Sequence, residues 1–153
     1  MRQTHNEYEL DDDRSRVDVE RVHGWLSGSY WSPGIFREVV ERGIRGASLV
    51  VSAYDQRQSQ QVGFLRIISD KATFAWVADV FVDESHRGRG LARAMLGFAM
   101  EHPEHQNMRR WVLATKDAHG VYESLGFKPL PYPERWMILH TDPAAWSASP
   151  IQS

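Results

Sequence analysis

The stretch Asp83-Glu84-Ser85-His86-Arg87-Gly88-Arg89-Gly90-Leu91-Ala92 sets two arginines and two glycines directly ahead of an amphipathic run. That order suits an anion. A helix start exposes backbone N–H groups that have no carbonyl partner, and the helix dipole makes that end electropositive. Gly88 and Gly90 carry no Cβ to hold a phosphate away from the backbone, and Arg87 and Arg89 add charge without closing the loop. A Walker loop would need Lys and then Ser or Thr where Leu91 and Ala92 stand. A dinucleotide fingerprint would need a small residue in place of Arg93 and an earlier position in the chain. Just upstream, Asp79-Val80-Phe81-Val82 reads as the end of an apolar strand, so the phosphate site falls where a strand passes into a helix.

Further along, Ala114-Thr115-Lys116-Asp117-Ala118-His119-Gly120-Val121-Tyr122-Glu123-Ser124-Leu125-Gly126-Phe127 reads as a short helix carrying a tyrosine. Gly126 stands where a helix C′ residue takes the left-handed conformation. Arg87, Gly90 and Ala92 satisfy Arg-x-x-Gly-x-Gly/Ala, and the Tyr122 helix running into Gly126-Phe127 follows in order. Together they resemble the two signatures of the GCN5-related N-acetyltransferase (GNAT) superfamily, and the resemblance spans roughly residues 45–140. It implies an α+β fold in three layers: a mixed, mostly antiparallel sheet with helices on both faces and the cofactor in the splay between two central parallel strands. It implies acetyl-CoA as co-substrate and no metal. The backbone of Arg87, Gly88, Arg89, Gly90, Leu91 and Ala92 would hold the pyrophosphate, and Val80, Phe81 and Val82 would hold the pantetheine arm. Asp117 falls where relatives often carry an asparagine that touches the cofactor; alternatively it caps the Tyr122 helix.

Acetyl transfer to an amine needs a held thioester, a stabilised oxyanion, a deprotonated amine and a proton for the departing thiolate. Tyr122 is the expected general acid, since a phenol of pKa near ~10 is protonated at neutral pH and can donate to a thiolate of pKa near ~8–9. The base is less plain. Several relatives carry a glutamate at the position of Ala78, and Asp79 is the nearest carboxylate here. Adjacent strand residues point to opposite faces, so Asp79 enters the same pocket only through a bulge. It either acts on the amine or serves the structure. His119 shares a helical face with Tyr122, and the plainer reading is a solvated side chain. With no cysteine in the chain, direct attack in a ternary complex is favoured over an acyl-enzyme, and disulfides and thiolate metal sites are excluded. His102, Glu104 and His105 are interrupted by Pro103 and read as a polar helix end rather than metal ligands.

The elements that position these groups follow from period and punctuation. Asp18 is an N-cap candidate ahead of Val19, Val22, Trp25 and Leu26, and Ser32-Pro33-Gly34 precedes an apolar face of Ile35, Phe36, Val39 and Val40. Between them Tyr30 and Trp31 sit in a glycine-flanked loop expected to cover the acceptor site, with Asp79 drawing a small, partly apolar amine beneath it. Strands are expected near 47–54 and 60–69 as a hairpin, then near 73–82, 110–114 and 135–140, with at most a short strand at Tyr8-Glu9-Leu10. The Arg110–Ala114 run reads as a buried parallel strand.

The 153 residues, 42% hydrophobic and 25% charged, make one domain spanning 1–153, with polar tails at 1–6 and 147–153. A net charge of −2 with scattered basic residues argues against a nucleic-acid partner, a transfer-RNA acceptor included. No apolar run is long enough for a membrane span and the N-terminus lacks a signal sequence, so a cytoplasmic setting is expected. The expected partner is a small-molecule or peptide amine, and a homodimer is allowed. The rival readings are a non-catalytic acyl-CoA-binding module and a protein lysine acetyltransferase.

Overall fold

The computed structural model describes residues 1–141. Helix α1 (Val19–Ser27) starts where its cap predicts: Asp18 Oδ1 accepts the Arg21 N–H at 3.0 Å, and Val22 and Leu26 are buried. Helix α2 (Arg37–Gly46) starts later than Ser32-Pro33-Gly34 suggests. Gly34 takes φ +72°, so the chain turns there instead of entering the helix. The buried face moves to Val40 and Ile44, with Ile35 packed beneath and Phe36 exposed.

Six strands follow one another across the sheet in chain order: β1 (Arg2–His5), β2 (Tyr8–Asp11), β3 (Leu49–Asp55), β4 (Gln60–Ser69), β5 (Phe74–Val82) and β6 (Arg110–Val112). All neighbours are antiparallel except β5 and β6. The expected N-terminal tail is therefore strand β1, paired to β2 through a turn at Asn6, whose φ is +52°. The short strand expected at Tyr8-Glu9-Leu10 is β2, with Tyr8 and Leu10 buried, whereas the polar, exposed composition of β1 concealed it. Arg2 and Arg16 both bond the buried Asp11 carboxylate.

Period-two alternation assigns the two faces of the sheet. Val51, Ala53, Leu65 and Ile67 meet Met95 and Phe98 of helix α3 (Leu91–Glu101) on one side. On the other, Val50 and Phe64 meet Val22, Leu26, Val40 and Ile44. The result is the three-layer α+β arrangement with helices on both faces. A short helix α4 (His119–Glu123) completes the elements near the site.

Two details depart from expectation. The parallel pair lies at the end of the sheet rather than in its centre, so β6 is an edge strand, with Arg110 exposed and Trp111 and Val112 only half-buried. The strand expected at 135–140 does not form, and Met137, Ile138 and Leu139 are 97%, 83% and 98% exposed. Three prolines (Pro129, Pro131 and Pro133) precede it. They offer no backbone N–H to a ladder, and the 3-10 turn at Pro133–Arg135 leads the chain off the β6 edge. The expected tail at 147–153 lies outside the described residues. No helix among the described residues is long and apolar enough to cross a membrane.

Candidate active site

The splay comes first, because it makes the cleft. β5 and β6 pair only at Phe74↔Arg110, Ala75↔Trp111 and Trp76↔Val112. Beyond Trp76 the β6-facing backbone groups of β5 are left open as far as Val82, beside the loop that enters α3. Val80 and Val82 pack toward the α3 side. Phe81 lies against the Trp25 ring of α1, centroids 5.2 Å apart and 18° between planes. The side chains thus anchor the strand while its edge stays available.

At the end of β5 the loop has the predicted geometry. Gly88 and Gly90 take φ +74° and +77°, and Gly90 is the N-cap of α3 with no side-chain cap. The first N–H groups of α3 therefore point outward with no side-chain acceptor, a nest for an anion. The arginines are more constrained than their sequence suggests. Arg87 Nε donates to the Val82 carbonyl at 2.9 Å and its guanidinium lies 5.3 Å from the Phe81 ring centroid. Arg89 Nη1 donates to Glu7 Oε1 and to Tyr8 Oη, each at 3.0 Å. The β1–β2 hairpin thereby braces the loop, and buried His86 meets the same Tyr8 hydroxyl at 3.0 Å. Leu91 is buried and Ala92 half-buried, so their contribution to an anion is through backbone.

A bulge in β5 decides where Asp79 goes. Phe64↔Phe81 and Arg66↔Ala78 are paired, so β5 spends one more residue than β4 between them. Asp79 takes φ +55°, an uncommon conformation for a non-glycine residue. Its side chain swings to the α1–α2 face. Oδ2 accepts Arg66 Nε at 2.5 Å and Oδ1 accepts Trp31 Nε1 at 3.1 Å. Both carboxylate oxygens are thus engaged within the protein. Arg66 was missed in the sequence, where it is one charge inside an apolar strand. Only the register across β4 and β5 brings it to Asp79.

The loop over this site is held, not loose. Ser29 Oγ donates to the Leu26 carbonyl at 2.7 Å and accepts the Ser32 N–H at 3.1 Å. Tyr30 and Trp31 pack edge to face, with centroids 5.0 Å apart. Tyr30 Oη accepts the Lys116 N–H at 2.9 Å, joining the loop to the segment ahead of α4. Between α1, α2 and the sheet lies a cavity of about 240 Å³, lined by Leu26, Ile35, Val39 and Phe64 and by the charged Arg42, Arg66 and Asp79.

Tyr122 projects from α4, which ends as predicted. Gly126 takes φ +94°, the Phe127 N–H returns to the Tyr122 carbonyl at 3.2 Å and the Gly126 N–H to Glu123 at 3.0 Å, the Schellman pattern. Burial, with Tyr30 and Asp117 nearby, pushes the Tyr122 hydroxyl above its ordinary pKa. It is a proton donor across the neutral range. Asp117 does not cap α4. Ala118 is the N-cap residue, and its N–H is taken by Thr115 Oγ1 at 3.0 Å. His119 is exposed. His102 and His105 are buried rather than solvated: His102 Nε2 lies 2.9 Å from Asp12 Oδ2, and His105 Nε2 lies 2.9 Å from Ser48 Oγ. A larger cavity, about 1,270 Å³, runs along β6 and reaches Tyr122 but not the glycine loop.

A family model described as an acetyltransferase (GNAT) domain matches residues 46–129. The chain belongs to the GNAT family of acetyltransferases. The matched span runs from the end of α2 to just beyond Gly126, so it holds the splay, the loop and α4. A Xanthomonas campestris pv. campestris protein of known structure, described as belonging to the GNAT family, is 38% identical. It superposes with a TM-score of 0.84, covering 95% of this chain and 99% of that one. A Gibberella zeae protein named as a candidate acetyltransferase is 26% identical over 145 residues, covering 82% of this chain and 81% of its own length. An Arabidopsis thaliana glucosamine-6-phosphate N-acetyltransferase shares the fold at 16% identity, with a TM-score of 0.63 over 88% of this chain and 99% of that one. The GNAT family uses acetyl-CoA as co-substrate.

Proposed function

We propose that this GNAT domain transfers the acetyl group of acetyl-CoA to the nitrogen of a small, partly apolar primary amine, by direct attack. Three features support this reading: the open edge of β5, the uncapped start of α3 and the buried Tyr122 on α4, a helix that contacts α3. Backbone N–H groups of residues 87–92 bind the pyrophosphate, and Arg87 and Arg89 hold the loop's shape. The open edge of β5 at Val80–Val82 binds the pantetheine amides and offers N–H donors to the thioester oxygen as charge builds on it. Acetyl-CoA supplies the activated acyl group. Tyr122 holds a proton at Oη and delivers it to the leaving sulfur.

The acceptor reading rests on the cavity between α1, α2 and the sheet, which reaches Asp79, the partner of Trp31. At about 240 Å³ it is smaller than a typical drug-sized pocket of ~300–1,000 Å³. Its aliphatic and aromatic walls at Leu26, Ile35, Val39 and Phe64 suit the carbon skeleton of a short amine, beside the charged Arg42, Arg66 and Asp79. Asp79, tied to Arg66 and Trp31, positions the loop; the amine attacks as its neutral form, and the proton it sheds on forming the amide passes to solvent.

Titration calorimetry with acetyl-CoA tests the reading. Gly90→Asp places a carboxylate and a Cβ at a φ of +77° in the pyrophosphate nest, and affinity is expected to fall at least tenfold. Parent protein that binds no acetyl-CoA, or a Gly90→Asp variant that binds it equally well, refutes the site. Thiol release from acetyl-CoA across a panel of primary amines then identifies the acceptor class. Release with peptide lysines alone would move the acceptor from this cavity to an open surface.

A further inference from the structure

The glycine loop has little of its own to hold its shape. Gly88 and Gly90 bring no side chain to restrict the backbone, and Arg87 is tied only locally, to the Val82 carbonyl. Arg89, by contrast, is tied to residues some eighty positions earlier in the chain. Its Nη1 donates to Glu7 Oε1, which is partly exposed, and to the Tyr8 hydroxyl, 81 positions away. His5 Nε2 lies 3.5 Å from the Arg89 carbonyl oxygen. Tyr8 is 0% exposed and belongs to the same core cluster as Leu91 and Met95 of α3. Its hydroxyl is therefore a fixed point against which the loop is set.

The direction of each hydrogen bond follows from the count of donors. A guanidinium can only donate, so the Tyr8 oxygen accepts from Arg89. The single hydroxyl proton is then free for the other neighbour, His86 Nδ1 at 3.0 Å. Nδ1 must be the bare nitrogen of that ring, which places the ring proton on Nε2. His86 is itself buried and ends the 3-10 turn Glu84–His86 that leads from β5 into the loop. One phenol thus grips the loop at two points, His86 ahead of the glycines and Arg89 between them.

We infer that Tyr8 and His86 are positioning residues for acetyl-CoA: the chain of bonds from Arg89 through Tyr8 to His86 fixes the glycine loop before the ligand arrives. The inference rests on the reading of residues 87–92 as the pyrophosphate site. Both residues act through the loop backbone. Removing the Tyr8 hydroxyl leaves Nδ1 a buried acceptor without a partner, which is worse than losing one bond between exposed groups. Glu7 does not compensate, because an ion pair at the surface contributes little. A loop that must order itself on binding weakens affinity and leaves turnover of the bound complex alone.

Calorimetry with acetyl-CoA on the full chain, with thermal melting alongside, tests this. Tyr8→Phe keeps the buried ring, and its Kd for acetyl-CoA should rise about tenfold, while Glu7→Gln changes it by less than about twofold. His86→Asn presents Oδ1 near where Nδ1 stands and should keep the parent Kd; His86→Leu offers no acceptor and should match Tyr8→Phe. With the best acceptor of the amine panel, Tyr8→Phe and His86→Leu should raise the acetyl-CoA KM and leave kcat within about twofold. Proton–nitrogen correlation NMR of the free protein should show His86 protonated at Nε2 and bare at Nδ1. A merely structural bond would lower Tm in Tyr8→Phe without changing Kd. That result, a ring proton on Nδ1, or a His86→Leu variant that binds as tightly as His86→Asn overturns the inference and leaves the pyrophosphate site standing. A parent that binds no acetyl-CoA overturns both. If Tyr8→Phe does not fold, the two His86 variants decide.

Discussion

Tyr122→Phe separates chemistry from packing at one atom. The ring is buried and meets Phe127 edge to face, with centroids 6.1 Å apart and 68° between planes. Phenylalanine keeps that contact, so folding stability should change by no more than about 1 kcal/mol. The lost hydroxyl is the proposed proton donor. Loss of a general acid of this kind lowers kcat by on the order of 10²-fold, which at ~1.36 kcal/mol per decade is about 2.7 kcal/mol in the barrier. Affinity for acetyl-CoA should be unchanged, because residues 80–82 and 87–92 are untouched. The raised pKa fixes the sign of the pH dependence. A neutral phenol is active, so activity attributable to Tyr122 is lost only as pH rises through a value above the ordinary ~10. Parent kcat should therefore show no falling alkaline limb up to about pH 10. The assay is thiol release from acetyl-CoA with the best acceptor of the amine panel, alongside calorimetry and thermal melting of both proteins. Equal kcat in variant and parent refutes the acid role, and a fall in kcat accompanied by loss of fold would show that the hydroxyl served packing.

Trp31→Ala should raise the acceptor KM by about tenfold with acetyl-CoA affinity unchanged, since it removes the donor that holds Asp79, which lines the small cavity; an unchanged KM would leave the loop a packing element. Asp79→Asn keeps the shape but loses the charge facing Arg66, and should leave kcat within about threefold if the carboxylate positions the loop, whereas a loss of about 10²-fold or more would make it the base. Burial holds the His105 imidazole below its ordinary pKa, with His102 adding to the effect. Its contribution to stability is therefore present above about pH 6.5 and lost as pH falls below it, by up to ~1.36 kcal/mol per pH unit; urea titrations at pH 7.5 and 5.5 should show this loss, reduced in His105→Gln. Asp18→Ala removes the cap on α1 and should cost about 1 kcal/mol, a fall in Tm of about 2–4 °C.

What was legible in the sequence was local. The cap at Asp18, the left-handed Gly126, the glycine loop at 88 and 90, the hairpin of β3 and β4 and the amphipathic α3 each depend on residues within a few positions of one another. Their signals survive without any knowledge of the rest. Tyr122 and the glycine loop could be found for the same reason, since each is a residue type on a short, punctuated element. Four features were settled only by the tertiary structure. Arg66 reaches Asp79 because a bulge adds one residue to β5 opposite β4, and such a register is a property of two strands together. Strand β1 was hidden because its residues are polar and exposed and only its pairing with β2, with Arg2 against Asp11, makes it a strand. His102 and His105 turn inward because Asp12 and Ser48, from distant parts of the chain, accept or share their ring protons. Last, Trp136–Leu139 has the composition of a strand, but a strand exists only when an edge is within reach. The proline-stiffened connection leads that segment away from β6, so pattern alone named its type while the path of the backbone decided its place.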